Sequence, residues 1–264
     1  MTNIFQIKNL EEDLKNQFNS AKPFRYLVIE NFLEETFAQK IYDEFPRRNP
    51  KTWVNANGYH QKNKYTQPCP ETSSAREYFN AVTSQEFIEV LQRITGLEGL
   101  LADPDLFGAG YHQTLEGGFL DVHVDFNKRE NSNLFRRLNL IVYFCQDWKE
   151  ENGGNVEFWD MTRKTKIADI PPLYNRAVMF ETNEISWHGH PKPWHSKNHE
   201  PRNSLSVYYY SMGRHEIQPS EWHNTIYVNT QGIRGVIKNI LSGIKYLPKW
   251  IYQQLRALKR NSER

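Results

Sequence analysis

Cysteine is nearly absent from this chain: Cys69 and Cys145 are the only two in 264 residues. They form neither a disulfide framework nor a metal-binding spacing, and a reducing cytosol is the simplest compartment for such a chain. No run of 18 apolar residues occurs, so no transmembrane helix is expected. The opening Met-Thr-Asn-Ile-Phe-Gln-Ile-Lys leads into Glu11, Glu12 and Asp13 without the apolar stretch of a signal peptide, and the expected location is cytoplasmic. Internal repeats and low-complexity tracts are missing too. So is a large charge of one sign: the net charge is +2.

That charge is unevenly spread. Residues 231–264 carry eight Lys or Arg against Glu263 alone, a net +7, which leaves −5 on the remaining body. A basic segment on an acidic body implies a surface role for the tail and speaks against a nucleic-acid-binding domain. Ile233, Val236, Ile237, Ile240, Leu241 and Ile244 share one helical face; Pro248 breaks the run; Trp250, Ile251, Leu255 and Leu258 begin another. Two readings of 232–264 stand: a helical pair that docks on the body or makes a dimer contact, and a basic amphipathic helix on an anionic membrane surface.

What the chain does contain is aromatic residues, 14 Tyr and 15 Phe, which suit a β-rich body. Residues 1–23 read as a polar lead-in with a short helix near 10–18. Residues 24–29 read as a strand. Asn31, with Glu34 three residues on, has a capping-box pattern and opens a helix carrying Leu33, Phe37, Ile41 and Phe45, ended by Pro46. The polar stretch 47–70 reads as a long loop, a lid or a plain surface excursion. Helices are expected over 74–82 and over 86–94, the second with Thr83 as cap, Phe87, Ile88, Leu91 and Ile94 on one face, and Gly96 as stop. After residue 103 the pattern changes to short strands: near 106–113, 119–124, 136–145, 155–159, 166–170, 177–181, 186–189 and 204–210. Gly117-Gly118 is expected as a turn among them. This predicts a mainly β protein with helices at both ends, a two-sheet jelly roll or barrel. The expected division is an N-terminal strand and helix region over 1–103, a β core over 104–212 and the basic tail over 213–264.

The chemistry centres on residues 119–127, Phe-Leu-Asp-Val-His-Val-Asp-Phe-Asn. On a strand, His123 and Asp125 point to one face. They supply two ligands of a 2-His-1-carboxylate triad, the usual seat of non-haem Fe(II) in oxygenases. A third ligand must come from elsewhere. His188, His190, His195 and His199 are the candidates. His188 follows an apolar strand and is the first choice, with His190 next, while His195 and His199 lie in a Pro/Lys/Asn-rich loop. Three protein ligands leave three positions on an octahedral iron, enough for a chelating 2-oxo acid and O₂. The far carboxylate of such a co-substrate needs an anchor, and Arg202 suits it because its planar fork pairs with carboxylate. Ser204 shares its face. Asn139 and Tyr143 lie on one face of the strand over 138–144; either hydrogen-bonds the same carboxylate or fills the barrel.

Four motifs now stand in order: Gly-Gly-Phe-Leu-x-x-His-x-Asp-Phe-Asn over 117–127, Arg-Arg-Leu-Asn-Leu-Ile-Val-Tyr-Phe over 136–144, Asp-Trp-Lys-Glu-Glu-Asn-Gly-Gly over 147–154, and Trp-His-Gly-His-Pro over 187–191. With Arg202-x-Ser204 they resemble the Fe(II)/2-oxoglutarate-dependent dioxygenase superfamily, in its prolyl 4-hydroxylase-like branch, over roughly residues 24–212. The resemblance implies a double-stranded β-helix of the cupin-like jelly-roll kind. It implies Fe(II) on His123, Asp125 and His188, with Arg202 and Tyr143 on the distal carboxylate of 2-oxoglutarate. Ascorbate is an optional accessory. One departure is visible: prolyl hydroxylases carry a Tyr three residues before the Gly matching Gly117, where this chain has Thr114, flanked by Gln113 and Tyr111.

The expected activity is hydroxylation of an unactivated C–H with O₂, releasing succinate and CO₂. Asp125 favours that outcome, since related halogenases carry a small residue there. A small metabolite or glycoconjugate is the favoured substrate, with a prolyl or amino-acid substrate behind it, and the acidic body favours a neutral or cationic one. Trp187, Phe119 and Tyr111 are candidate wall residues. The rival readings are a non-catalytic β-helix that binds a ligand or partner, and a hydrolase using Zn²⁺ on the same His₂Asp set.

Overall fold

The computed structural model describes residues 4–7, 10–103, 105–129, 132–162, 164–213 and 223–228. In chain order they form α1 (Glu11–Ser20), β1 (Tyr26–Ile29), α2 (Glu35–Asp43), β2 (Val54–Asn55), β3 (Gln61–Gln67), α3 (Ser74–Val82), α4 (Gln85–Thr95), β4 (Leu101–Ala102), β5 (Gly110–Val124) and β6 (Leu134–Tyr143). A 3₁₀ turn (Glu150–Asn152) precedes β7 (Val156–Asp160), β8 (Thr165–Ile170), β9 (Arg176–Glu181), β10 (Trp187–His190), β11 (Arg202–Met212) and β12 (Ile226–Tyr227). The basic tail and its expected helices over 232–264 lie outside the described residues.

The strands form one curled antiparallel sheet in the order β1-β9-β6-β11-β5-β10-β7-β8. β5 makes the curl. Its first half pairs with β11, Thr114 opposite Arg202, and its second half with β10, His123 opposite His188. The predicted turn at Gly117-Gly118 is instead a bulge within this one strand. Opposite β3 the register jumps from Lys62–Phe119 to Lys64–Thr114, and Gly117 takes φ +68°, a left-handed conformation that glycine adopts without strain.

The alternation of side chains explains both a core and a cavity. From β6, Leu138, Leu140 and Val142 join Leu205, Val207 and Tyr209 of β11 in an apolar cluster with residues of all four helices. The opposite face carries Asn139, Ile141 and Tyr143 with Ser204, Ser206 and Tyr208 into the curl. A sheet that turns its apolar face to helices and a polar face inward is built around a ligand space.

Local chemistry sets the helix ends. The α4 N-cap is Ser84, whose hydroxyl accepts from Phe87 N at 3.2 Å; Thr83, the expected cap, ends α3 instead. Gly96 takes φ +68° and closes α4, and its expected apolar face is buried. The Asn31 capping box does not form: α2 starts later and Glu34 caps it, accepting from Phe37 N at 3.1 Å. The stretch 47–70, expected as a loop, contains β2 and β3. β3 pairs with β5 from Gln61–Leu120 to Gln67–Tyr111. Its sequence, Gln-Lys-Asn-Lys-Tyr-Thr-Gln, lacks apolar alternation: Lys64 lines the cavity, and only Tyr65 packs against the apolar core.

Candidate active site

His123 is 4% exposed and His188 6% exposed, side by side on paired strands, with ring centroids 4.4 Å apart. Each ring spends Nδ1–H on a backbone carbonyl two residues back, His123 on Asp121 O and His188 on Ser186 O, both at 2.9 Å. That bond fixes the tautomer and leaves each Nε2 lone pair free. Asp125 closes the set. Its Oδ1 is 3.4 Å from His123 Nε2 and its Oδ2 3.6 Å from His188 Nε2, and one ligand atom from each of the three lies within 4.8 Å of the others.

The electrostatics suit a cation. Burial, reinforced by His123, draws His188 down to about 3, so its imidazole is neutral at ordinary pH. Burial alone would raise Asp125, but Arg136 and the two histidines overcome it and hold the carboxyl well below the usual range. Asn139 Nδ2 donates to Asp125 Oδ2 at 2.8 Å, and Arg136 Nη2 lies 3.2 Å from the same oxygen. Asn139 is held in turn by Arg136 Nε at 3.0 Å, while the Arg136 guanidinium stacks 3.6 Å from the Tyr208 ring centroid. Two imidazoles and one carboxylate, each oriented by a second partner, make the N/O donor set that suits non-haem Fe(II).

Arg202 faces the same cavity, 6% exposed, from the start of β11. Nε donates to Gly154 O at 2.6 Å and Nη2 to the Tyr143 hydroxyl at 3.3 Å. Nη1 has no hydrogen bond among the described residues. Gly154 is required here: at φ +68°, an added Cβ would sit 2.7 Å from Trp194 and 3.0 Å from Arg202 Cδ. Ser204 lies opposite Tyr143 across the β11–β6 pair, and both line the cavity.

Several sequence expectations change. Asn139, which lines the cavity, donates to Asp125 and so orients that carboxylate. His190 does not join the metal set; past a register shift it pairs with Leu120 and enters the cavity beside Arg202. His195 lies on the surface, paired with Glu116. Trp187, Phe119 and Tyr111 are absent from the cavity wall. Tyr111 packs on Phe45 in the apolar core, and Gln113 bonds Asn203 Oδ1 at 3.0 Å, while Thr114 and His112 of the alternate face look inward. Lys64 and Arg136 also line the cavity. Lys64 had no signal in the sequence, and Arg136 sat unrecognised in a motif. With Arg202 they make the interior cationic, against the expectation drawn from the acidic body.

Residues 109–221 match the family model of the 2OG-Fe(II) oxygenase superfamily. The chain is similar to a prolyl-4-hydroxylase from Pseudomonas putida, with TM-score 0.55 and 17% identity over 76% of this chain and 100% of that one. It is similar to a prolyl hydroxylase from Trichoplax adhaerens, solved in complex with a hypoxia inducible factor oxygen degradation domain peptide fragment, with TM-score 0.54 and 14% identity over 77% of this chain and 90% of that one. It is also similar to HygX from Streptomyces hygroscopicus, solved with nickel, 2-oxoglutarate and hygromycin B bound, with TM-score 0.50 and 10% identity over 81% of this chain and 96% of that one. At these identities the structural likeness is one of fold.

Proposed function

We propose that this chain, which carries a 2OG-Fe(II) oxygenase superfamily domain over residues 109–221, is a 2-oxoglutarate-dependent hydroxylase of a small metabolite or glycoconjugate. The observation that carries this reading is one cavity with two prepared ends: three converging donors from His123, Asp125 and His188, and a buried Arg202 with an uncommitted Nη1. Fe(II) held by His123, Asp125 and His188 would supply the chemistry that couples oxidative decarboxylation of 2-oxoglutarate by O₂, to succinate and CO₂, with hydroxylation of a substrate C–H.

The chain's own residues do the rest. His123 and His188 hold their Nε2 atoms toward the metal because two backbone carbonyls hold Nδ1–H. Asn139 and Arg136 hold the Asp125 carboxylate. Arg202 receives the distal carboxylate of the co-substrate, positioned by Gly154 O and Tyr143, with Ser204 beside them. Leu120, Ile141 and Val156 give the methylene chain an apolar wall. Thr114 stands where prolyl hydroxylases carry Tyr, which favours small metabolites and glycoconjugates over peptidyl proline. Hygromycin B in HygX is a precedent of that kind. Among the described residues no helix is long and apolar enough to cross a membrane, and a surface or dimer contact is assigned to 232–264.

The test is an anaerobic titration of the chain with Fe(II) and then 2-oxoglutarate, following the visible charge-transfer band of the chelate, with ascorbate added for turnover assays. The band is expected in wild type. His188→Ala is expected to abolish it, and Arg202→Ala to demand far more 2-oxoglutarate. Bound iron with no band in wild type would refute the co-substrate assignment.

A further inference from the structure

The cavity holds a cation that neither the metal set nor the Arg202 anchor uses. Lys64, half-buried on β3, pairs directly with Thr114, and Thr114 pairs directly with Arg202 on its other side. Residues opposed in this way share a face. Lys64, Thr114 and Arg202 therefore form one row across three strands, about 10 Å from first to last Cα at two strand spacings. All three line the cavity. Among the described residues the Lys64 ammonium has no hydrogen bond and no ion pair; its charged neighbours are Arg202 on β11, Arg136 on β6 and Asp125 at the metal end. Burial, then Arg202, draws it down to about 8. Two cations facing one cavity repel until an anion comes between them.

His190 gives an independent sign that a ligand belongs there. It is 4% exposed, both ring nitrogens lack a hydrogen-bond partner among the described residues, and the charges that act on it most strongly are Arg202 and Lys64. A buried imidazole left this way is costly unless a ligand supplies the partners.

We propose that Lys64 is a second cationic clamp on the distal carboxylate of 2-oxoglutarate, facing Arg202 across Thr114 with His190 alongside, so that β3 becomes part of the co-substrate site. This rests on the 2-oxoglutarate reading above. Lys64 must keep its proton to act, so co-substrate affinity is full below the free-protein value near 8 and falls as pH rises through it. The facing groups do not titrate in that window. Arg136 stays charged, held up by Asp125 against its burial. Burial raises the Tyr143 phenol, and burial with Lys64 draws His112 down to about 3. Burial with Arg202 holds His190 well below its ordinary value, and Asp125 stays ionised. Thr114 carries no charge.

The experiment is an anaerobic binding titration of the Fe(II)-loaded full chain, read by the charge-transfer band and by calorimetry, between about pH 6.5 and about pH 9.5. In wild type the Kd for 2-oxoglutarate is expected to stay level up to about 8 and then rise about tenfold per pH unit. Lys64→Met is expected to weaken binding about tenfold to about a hundredfold at neutral pH and to flatten the profile. Lys64→Arg restores affinity without the break. 2-Oxopentanoate, which lacks the distal carboxylate, is expected to bind wild type and Lys64→Met alike. A Lys64→Met chain with wild-type affinity and the same break overturns the clamp, as does the same break with 2-oxopentanoate. Iron-loaded wild type that binds no 2-oxoglutarate overturns the underlying reading as well.

Discussion

Gly189→Ala tests whether the β10–β5 pairing sets the metal site. Gly189 lies between His188, the proposed metal ligand, and His190. A Cβ at this position would sit 2.8 Å from Asp121 O, 2.9 Å from Asp121 C and 2.9 Å from Leu120 O. These are backbone atoms of the strand that carries His123, so no side-chain rotation relieves the contact. Reaching an ordinary 3.4 Å contact separates the strands by 3.4 − 2.8, or 0.6 Å, opposite the His188–His123 pair. Metal–ligand distances tolerate only about 0.2 Å. Overpacking of this kind costs about 1–3 kcal/mol, and each kcal/mol lowers Tm by about 2–4 °C in a chain of roughly this size. Gly117→Ala is the control. Its Cβ would meet nothing within 4 Å, but φ is +68°, so it loses about 1–2 kcal/mol through backbone strain alone. Thermal denaturation and Co(II) calorimetry on both variants separate the effects. Gly189→Ala is expected to lose at least about tenfold in metal affinity, equal to about 1.4 kcal/mol, while Gly117→Ala keeps it. Wild-type metal affinity in Gly189→Ala would refute the argument that this strand pairing positions the ligands.

Three further outcomes are expected. Asn139→Ala removes the 2.8 Å bond to Asp125 and should weaken metal binding about 10- to 100-fold by calorimetry; unchanged affinity would leave Asn139 as filler. Asn175→Ala strips a fully buried side chain that accepts from Leu33 N at 2.9 Å and donates to Leu33 O at 2.8 Å, and should cost about 3 kcal/mol in urea denaturation. Removal of 232–264 should leave metal binding intact, since His123, Asp125 and His188 all precede it; an insoluble truncated chain would show that the tail covers apolar surface.

The sequence by itself carried the residues whose spacing is chemistry. His123 and Asp125 stand two apart on an extended run, and His188, Arg202 and Ser204 follow in a readable order; the structure gathers them around one cavity. It also carried the α3 and α4 helices, whose apolar period, terminal glycine and small polar caps act locally, although Ser84 took the place of Thr83. Tertiary structure alone decided the rest. β3 is polar on both faces, so no alternation marks it, and only its pairing with β5 brings Lys64 opposite Thr114. The glycine pair at 117–118 reads as a turn until β3 on one side and the Trp194 backbone on the other hold it as a bulge within β5. Asn139 shared a face with Tyr143 in the sequence, but a contact across 14 residues assigned it to Asp125. A net charge sums the whole surface, while the field in a cavity depends on which side chains turn inward. Lys64, Arg136 and Arg202 turn inward because of strand register, and register belongs to the folded sheet.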